Sequence, residues 1–411
     1  MEKHALPSRP LPHTTLASVV TVRVTAKPSP TVWRTSTLVC ETPDLPIDLV
    51  ATSRSTEAVI IAVIIMHVFC LNGRPSINKA FTMDEQCIKK AVPWDYVAQF
   101  PLSIDTFGKN SMAEMSNFAH LLPPTWTKHV QLWLEDDIPS FDVGGFVVGE
   151  TEETALLIGK SEGVLAGVPF FTEVFRSLGC QVEWLIHEGD EVKPNSVPGG
   201  KVPVAKVTGK CRQLLLGERT ALNILTRASG VATQAQKSVK EARALGWNGY
   251  VAGTRKTTPG FRLVEKYALL VAGASTHRHD LSHMVMLKDN HVWVAGSITK
   301  AVHKARLAAG FSMKIEVECR CFEEAQEAAE AGADIVMLDN FEPEHLKATA
   351  AALKQQFSHL LIEASGGITP ETLSLYVSPD VAIVSQGKLT QGYPCLDFSL
   401  KIQKADGVLK Q

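Results

Sequence analysis

From residue 250 onward, short apolar runs alternate with segments of helical period. The runs lie at Tyr250–Ala252, Met284–Leu287, Lys314–Glu318, Ile335–Leu338, Leu360–Ala364 and Val381–Val384. Between them, Thr299–Ala309, Phe322–Ala331, Pro343–Lys354 and Pro370–Tyr376 place apolar residues three and four apart. Strand–helix alternation at this spacing predicts parallel strands joined by crossover helices, hence an α/β barrel or a doubly wound sheet. Upstream, Val182–Ile186 and Val202–Val207 read as strands flanking the turn-rich segment 195–200. A long helix is predicted from Cys211 to about Ala244, with Leu214, Leu215, Ala221, Leu222 and Leu225 on its apolar stripe. Gly217 and Gly230 interrupt that stripe, and a break is expected near Gly230.

The first part of the chain has a different character. Residues 1 to about 57 are rich in Thr, Ser and Pro and carry little apolar periodicity, so flexible or extended chain is expected there. The apolar run Ala58–Leu71 is shorter than the ~18–20 residues of a membrane span. It also lies too deep for a secretory signal, whose apolar core falls within the first ~15–30 residues. The expectation is a poorly ordered N-terminal extension over 1–111, and no membrane association.

Composition narrows the function. The 411 residues carry 41 Lys and Arg against 43 Asp and Glu, a net charge of −2. That balance argues against general nucleic-acid binding, which needs a strong basic excess. Any dense positive patch must therefore be local. Eight cysteines, with only Cys319 and Cys321 close together, form neither a disulfide scaffold nor a metal-binding pair. Reduced thiols in a cytoplasmic setting are the expectation, and Cys319 and Cys321 are read as structural.

The short segment after each predicted strand carries the chemistry. In order these segments are Thr254-Arg255-Lys256, Lys288-Asp289-Asn290, Glu318, Asp339-Asn340, Ser365-Gly366-Gly367 and Gln386-Gly387. In a parallel barrel the carboxyl ends of the strands meet on one face, where such folds place their active sites. Arg presents a planar fork suited to carboxylate or phosphate, and Lys a compact charge suited to phosphate. Arg255, Lys256 and Lys288 come directly after strands and are expected to touch an anionic ligand. Arg262 and Lys266, four apart with Glu265 between them, read instead as a solvated helix face. Ser365-Gly366-Gly367 precedes a predicted helix near Pro370, where backbone N–H groups can cradle a phosphate. Gly387 has the position of the companion half of a barrel phosphate site. Glu318 and Asp339 at neighbouring strand ends offer hard oxygens for Mg2+. His277, His279 and His283 have no further Cys or His at convincing zinc spacing, and His277 beside Arg278 suits an anion pocket better.

Several blocks occur together in order: Leu216–Asn223, Ala252–Arg262, His277–Asp280, Lys288–His291, Glu316–Glu318, Met337–Asn340 and Glu363–Thr369. On these the chain, from roughly residue 115 to its end, closely resembles the quinolinate phosphoribosyltransferase family. The resemblance implies an open, TIM-like α/β barrel over 231–391. It also implies an α/β sandwich domain formed by 112–230 with the C-terminal segment 392–411. It implies transfer of a phosphoribosyl group from phosphoribosyl pyrophosphate (PRPP) to quinolinate, with decarboxylation and with Mg2+ required. Quinolinate-binding groups fall on Arg255, His277, Arg278 and Lys288, with Thr254 beside them, and Lys256 meets the phosphates of PRPP. Glu318 and Asp339 surround Mg2+, with or without intervening water, and the ribose hydroxyls. Lys256, Lys288, Glu318 and Asp339 are thereby the catalytic set. Ser365, Gly366, Gly367 and Gly387 resemble the family's cradle for the 5′-phosphate. Arg219 resembles the arginine that the family inserts into a neighbouring subunit's site, so the resemblance also implies at least a homodimer, with hexamers familiar in the family. The leader has no counterpart there. A monocarboxylate such as nicotinate would need fewer cations than Arg219, Arg255, Arg278 and Lys288 provide, and a catalytically silent homologue would not need the complete set.

Overall fold

The computed structural model describes the backbone of residues 21–26, 35–42 and 45–52, and residues 118–403 in full. Two compact units divide near Gly108 and Lys109. In the first, β1 (Thr21–Ala26), β2 (Thr35–Thr42) and β3 (Leu45–Thr52) form an antiparallel meander. These strands fall within the segment expected as flexible or extended chain. The β-branched residues within Thr21–Ala26 and Thr35–Thr42 suit strands, but their pattern is masked by the Pro-, Ser- and Thr-rich flanks. The apolar run 58–71 and the remainder of the leader lie outside the described residues.

In the second unit the longer strands are β4 (Glu152–Gly159), β5 (Gln181–Trp184), β6 (Val202–Lys210), β7 (Tyr250–Ala252), β8 (Val285–Leu287), β9 (Ile315–Cys319), β10 (Ile335–Asp339), β11 (Leu361–Ser365), β12 (Ile383–Ser385) and β13 (Phe398–Ile402), and Gly163–Val164 pairs with Glu191–Val192 in a separate two-stranded sheet. The helices are α1 (Trp126–Asp137), α2 (Val143–Val148), α3 (Val168–Ser177), α4 (Cys211–Ala244), α5 (Arg262–Val271), α6 (Asp289–Ala295), α7 (Ile298–Ala309), α8 (Phe322–Glu330), α9 (Pro343–Gln356) and α10 (Leu373–Tyr376). An antiparallel sheet in the order β13-β4-β6-β5 brings the last described strand back beside the first strand of this unit. Phe170, Phe171 and Phe175 of α3 are fully buried in the core beneath it.

The long helix is not broken at Gly230. It runs through all 34 residues of Cys211–Ala244, about 50 Å at 1.5 Å per residue. The glycine serves packing instead. A Cβ at position 230 would lie 2.5 Å from the Pro394 carbonyl oxygen and 2.8 Å from the Tyr393 ring. Only a bare backbone lets the returning C-terminal segment approach this closely. Gly230→Ala should therefore lower stability by about 1–3 kcal/mol, read as a shift in the urea midpoint. If Gly230 merely weakened the helix, alanine would raise stability by up to about 1 kcal/mol, so the sign separates the two.

The parallel sheet has the order β8-β9-β10-β11-β12-β7, and a parallel bridge between Ala252 and Ser275 extends it past β7. Period-two alternation puts Glu316 and Glu318, Met337 and Asp339, and Glu363 and Ser365 on one face. Glu316 and Glu363 lie on strands separated by β10, a spacing of roughly 9.5 Å between backbones. Yet their carboxylate oxygens and a His277 ring nitrogen all lie within 4.8 Å of one another. The sheet is therefore curled around that face, as in an open α/β barrel. Helices α7, α8 and α9 cover the outer face with buried Val302, Ala325, Ala328, Leu346 and Leu353. Among the described residues no helix is long and apolar enough to cross a membrane.

Candidate active site

The curled sheet carries its polar residues at the carboxyl rim. Leu287 pairs with Val317, so Lys288 and Glu318 are next in line, and Asp339 pairs with Ser365 and Ser385 with Ala252. Lys288, the N-cap residue of α6, donates through Nζ to Glu318 Oε2. Asp339 accepts from the Asn340 side-chain amide at 2.6 Å. Burial, followed by the Glu318 charge, lifts the Asp339 carboxyl above its ordinary range against the pull of Lys288 and Lys256. Two hard carboxylates held in mutual repulsion form a donor set that a divalent cation relieves.

On the far side of the sheet, Lys256 lies just past β7 with its side chain against Gly387. A Cβ on that glycine would meet the lysine Cδ at 3.2 Å and Nζ at 3.6 Å. The Lys256 carbonyl accepts from Thr390 Oγ1 at 2.7 Å. Ser385 Oγ donates to Ser365 Oγ at 3.1 Å, joining the ends of β11 and β12. Gly366 and Gly367 take positive φ angles of 102° and 63°, open to glycine and costly for other residues. Gly366 also presses against Asn340, whose side-chain oxygen would lie 2.4 Å from a Cβ. The expected helix at Pro370 does not begin there. Thr369–Thr372 closes a turn, with the Thr369 N–H donating to Thr372 Oγ1, and α10 begins at Leu373 with four residues. The glycine backbone here thus has no helix terminus directly adjacent to it.

Arg278 is almost entirely buried, and its guanidinium contacts Met286 Sδ at 3.0 Å. Burial and the nearby Arg255 charge lower its pKa, and Glu316 and Glu363 oppose them. Arg255 Nε is buried without a partner. The two guanidiniums are close enough to repel, and among the described residues neither is in an ion pair, although Glu316 and Glu363 offset part of the charge on Arg278. Arg219 is exposed on α4, outside the parallel sheet that carries this rim.

Beneath the rim lies a constellation that sequence reasoning missed. His277 adopts φ 55°, an uncommon left-handed conformation. Its Nδ1 accepts from the Arg278 backbone N–H at 2.9 Å, which places the ring proton on Nε2, shared with Glu363 Oε2 at 2.9 Å. Glu316 Oε2 is 3.8 Å away, and both of its oxygens are buried without hydrogen bonds. Burial and the Glu363 charge push the Glu316 carboxyl well above the ordinary range. His277 is thus turned inward, while His279 and His283 pair with each other through the His279 N–H and His283 Nδ1. The three histidines do not converge, as the anion-pocket reading expects. Lys266 departs most from expectation. It is fully buried rather than solvated, donating to the carbonyls of Thr254 and Thr276. A buried Lys on an otherwise amphipathic helix gives no distinctive sequence signal, because a solvated face has the same spacing.

Family profiles for the N-terminal and C-terminal domains of quinolinate phosphoribosyl transferase match residues 142–229 and 231–401. The chain belongs to this family. It is 53% identical over 286 residues to a carboxylating nicotinate-nucleotide pyrophosphorylase of Dictyostelium discoideum, covering 67% of this chain and 95% of that protein. The Homo sapiens enzyme of that name is 52% identical over 290 residues, covering 70% and 96%. Among solved structures, NadC from Streptococcus pyogenes is 35% identical with a TM-score of 0.62, covering 69% of this chain and 99% of that one. The nicotinate-nucleotide pyrophosphorylase from Francisella tularensis is 33% identical with a TM-score of 0.61, covering 67% and 95%. These quinolinate phosphoribosyl transferase relatives align over nearly their whole lengths, and the family-matched segments span both the antiparallel sheet and the curled parallel sheet.

Proposed function

We propose that the protein transfers the phosphoribosyl group of PRPP to the ring nitrogen of quinolinate. The products are nicotinate mononucleotide, pyrophosphate and carbon dioxide, a step of NAD biosynthesis. The observation that carries this reading is the pair Arg255 and Arg278 at the strand ends, the first half-buried and the second buried, which feel each other's charge and are in no ion pair among the described residues. Quinolinate is a dianion and PRPP is heavily anionic, so the two can approach in a partly desolvated site only against fixed positive charge.

Arg255, Arg278 and Lys288 serve the carboxylates of the acceptor, with Thr254 and His277 in the backbone and ring framework beside them. Lys256 serves the phosphates of PRPP, and Ser365, Gly366, Gly367 and Gly387 its 5′-phosphate. Glu318 and Asp339 would hold Mg2+, directly or through water, and face the ribose. When bound, Mg2+ supplies electrostatic stabilisation of the departing pyrophosphate. The pyridine nitrogen attacks the anomeric carbon as the bond to pyrophosphate breaks. Once the nitrogen is quaternised, the bond from C2 to its carboxylate breaks, the electron pair stays in the ring, and a proton from solvent takes its place. No covalent enzyme nucleophile is required. Cys319, the thiol nearest this rim in sequence, is buried, and burial pushes its pKa well up.

A homodimer at least belongs to the same proposal. Phe141, Phe146 and Val147 are 94%, 90% and 83% exposed around α2, an apolar surface that a second subunit would cover. Gly145 of α2 packs against Arg212 of α4, and Arg219 lies two turns further along α4, on the same face. Cytoplasmic location is also part of it, in keeping with the free thiols of Cys180, Cys211, Cys319, Cys321 and Cys395.

Incubating the protein with Mg2+, PRPP and quinolinate should yield nicotinate mononucleotide and carbon dioxide in equal amounts. Absence of both rejects the proposal, and nicotinate turned over as fast as quinolinate favours a monocarboxylate acceptor. Chelation with EDTA should reduce turnover at least about a hundredfold, with Mg2+ restoring it, as expected when leaving-group charge is left unneutralised.

A further inference from the structure

Lys266 is a fully buried cation to which the reaction assigns no task. Its neighbours make the location expensive. Arg262 and Glu265 flank it on α5, Arg255 and Arg278 approach from the strand ends, and burial with the positive neighbours pulls its pKa down to about 8. A fold needing only bulk here would use an apolar side chain, since a buried charge destabilises unless it is well partnered. The ammonium's partners explain its presence. It donates to the Thr254 carbonyl at 2.7 Å and to the Thr276 carbonyl. The chain after β7 and the segment at Ser275 are held together up to this point by ladder bonds, Ser275 N–H to Val251 O at 2.8 Å and Gly253 N–H to Ser275 O at 2.9 Å. Beyond it no backbone hydrogen bond joins the two segments, which continue to Arg255 and Arg278. Lys266 bridges them where the ladder ends.

We propose that Lys266 is a positioning residue that fixes the spacing of Arg255 and Arg278, so that the two guanidiniums match two carboxylates on adjacent ring carbons. This deepens the proposed function and rests on it. Lys266 is too buried to reach the acceptor itself and acts through the two loops. Lys256, although on one of them, has an independent tether through Thr390. The PRPP side should therefore be insulated from changes at position 266.

The test measures quinolinate and PRPP affinity by titration calorimetry, together with kcat, on the full chain carrying Lys266→Met, Lys266→Gln or Lys266→Arg. Lys266→Met should weaken quinolinate binding at least about tenfold, leave PRPP binding and kcat at saturation within about threefold, and be partly rescued by Lys266→Arg. Equal weakening of both ligands, an unchanged quinolinate affinity, or a fall in kcat alone overturns the inference. If the Met variant does not fold, the ratio of quinolinate to PRPP affinities in Lys266→Gln decides: a selective loss supports it and a parallel loss overturns it. Wild-type turnover is scored separately. Its absence rejects the proposed function, while the binding ratios still judge Lys266.

Discussion

Arg255→Ala is expected to reduce kcat/KM for quinolinate by at least about a thousandfold, close to 4 kcal/mol of transition-state stabilisation. The size comes from where the guanidinium sits. Its Nε is buried and unpartnered, and its nearest charged neighbours include another cation, Arg278. A carboxylate entering there gains a charge-assisted, forked hydrogen bond in a weakly screened setting. Removing one of two cations leaves an acceptor carboxylate desolvated without compensation. Stability should not fall with activity, because the substitution removes a source of repulsion from Arg278. The urea midpoint should stay level or rise. Arg255→Lys should restore less than full activity, since a point charge cannot reproduce the fork. Wild-type kinetics in the alanine variant would take Arg255 out of the site.

Much of the barrel is legible in the chain because its strands are short, apolar and evenly spaced. Tyr250–Ala252 is predicted to the residue, and the other five parallel strands lie within two residues of their observed bounds. The polar rim is equally legible, since Lys288, Glu318, Asp339 and Ser365 each lie at or beside the end of a strand. The layer beneath the rim is not. Glu316 and Glu363 occupy strand interiors, and only the curl of the sheet brings them to His277 from two different strands. No local pattern encodes that meeting.

The same limit explains the two glycine results. At Gly230 sequence logic sees a residue that weakens helices, but the neighbour that requires it is Pro394, 164 positions away. At Gly366 the requirement is local as well as tertiary: a positive φ and the close approach of Asn340 act together, and the Gly-Gly pair signals at least the first. Lys266 fails in the opposite direction. Its spacing from Arg262 and Glu265 is ordinary for a solvated face, and its burial depends on two carbonyls from separate strand ends.

Arg219→Ala should inactivate the protein as thoroughly as Arg255→Ala, and the two inactive proteins should regain activity when mixed under conditions of subunit exchange. Arg219 is exposed on α4, a helix whose Arg212 packs against Gly145 of α2, and Phe141 and Phe146 around α2 are exposed. If a twofold partner covers that surface, the contact is reciprocal, and each arginine serves the other subunit's site. A mixed dimer then holds one site lacking both arginines and one with neither lost. Random exchange of equal amounts makes half the dimers mixed, each with one working site of two, so recovery should approach about a quarter of wild-type activity. Mixing either variant with itself should recover nothing. Exchange is verified independently with differently tagged chains. Demonstrated exchange without recovered turnover would place Arg219 outside the neighbouring site, leaving Arg255, Arg278 and Lys288 to meet the acceptor within one chain.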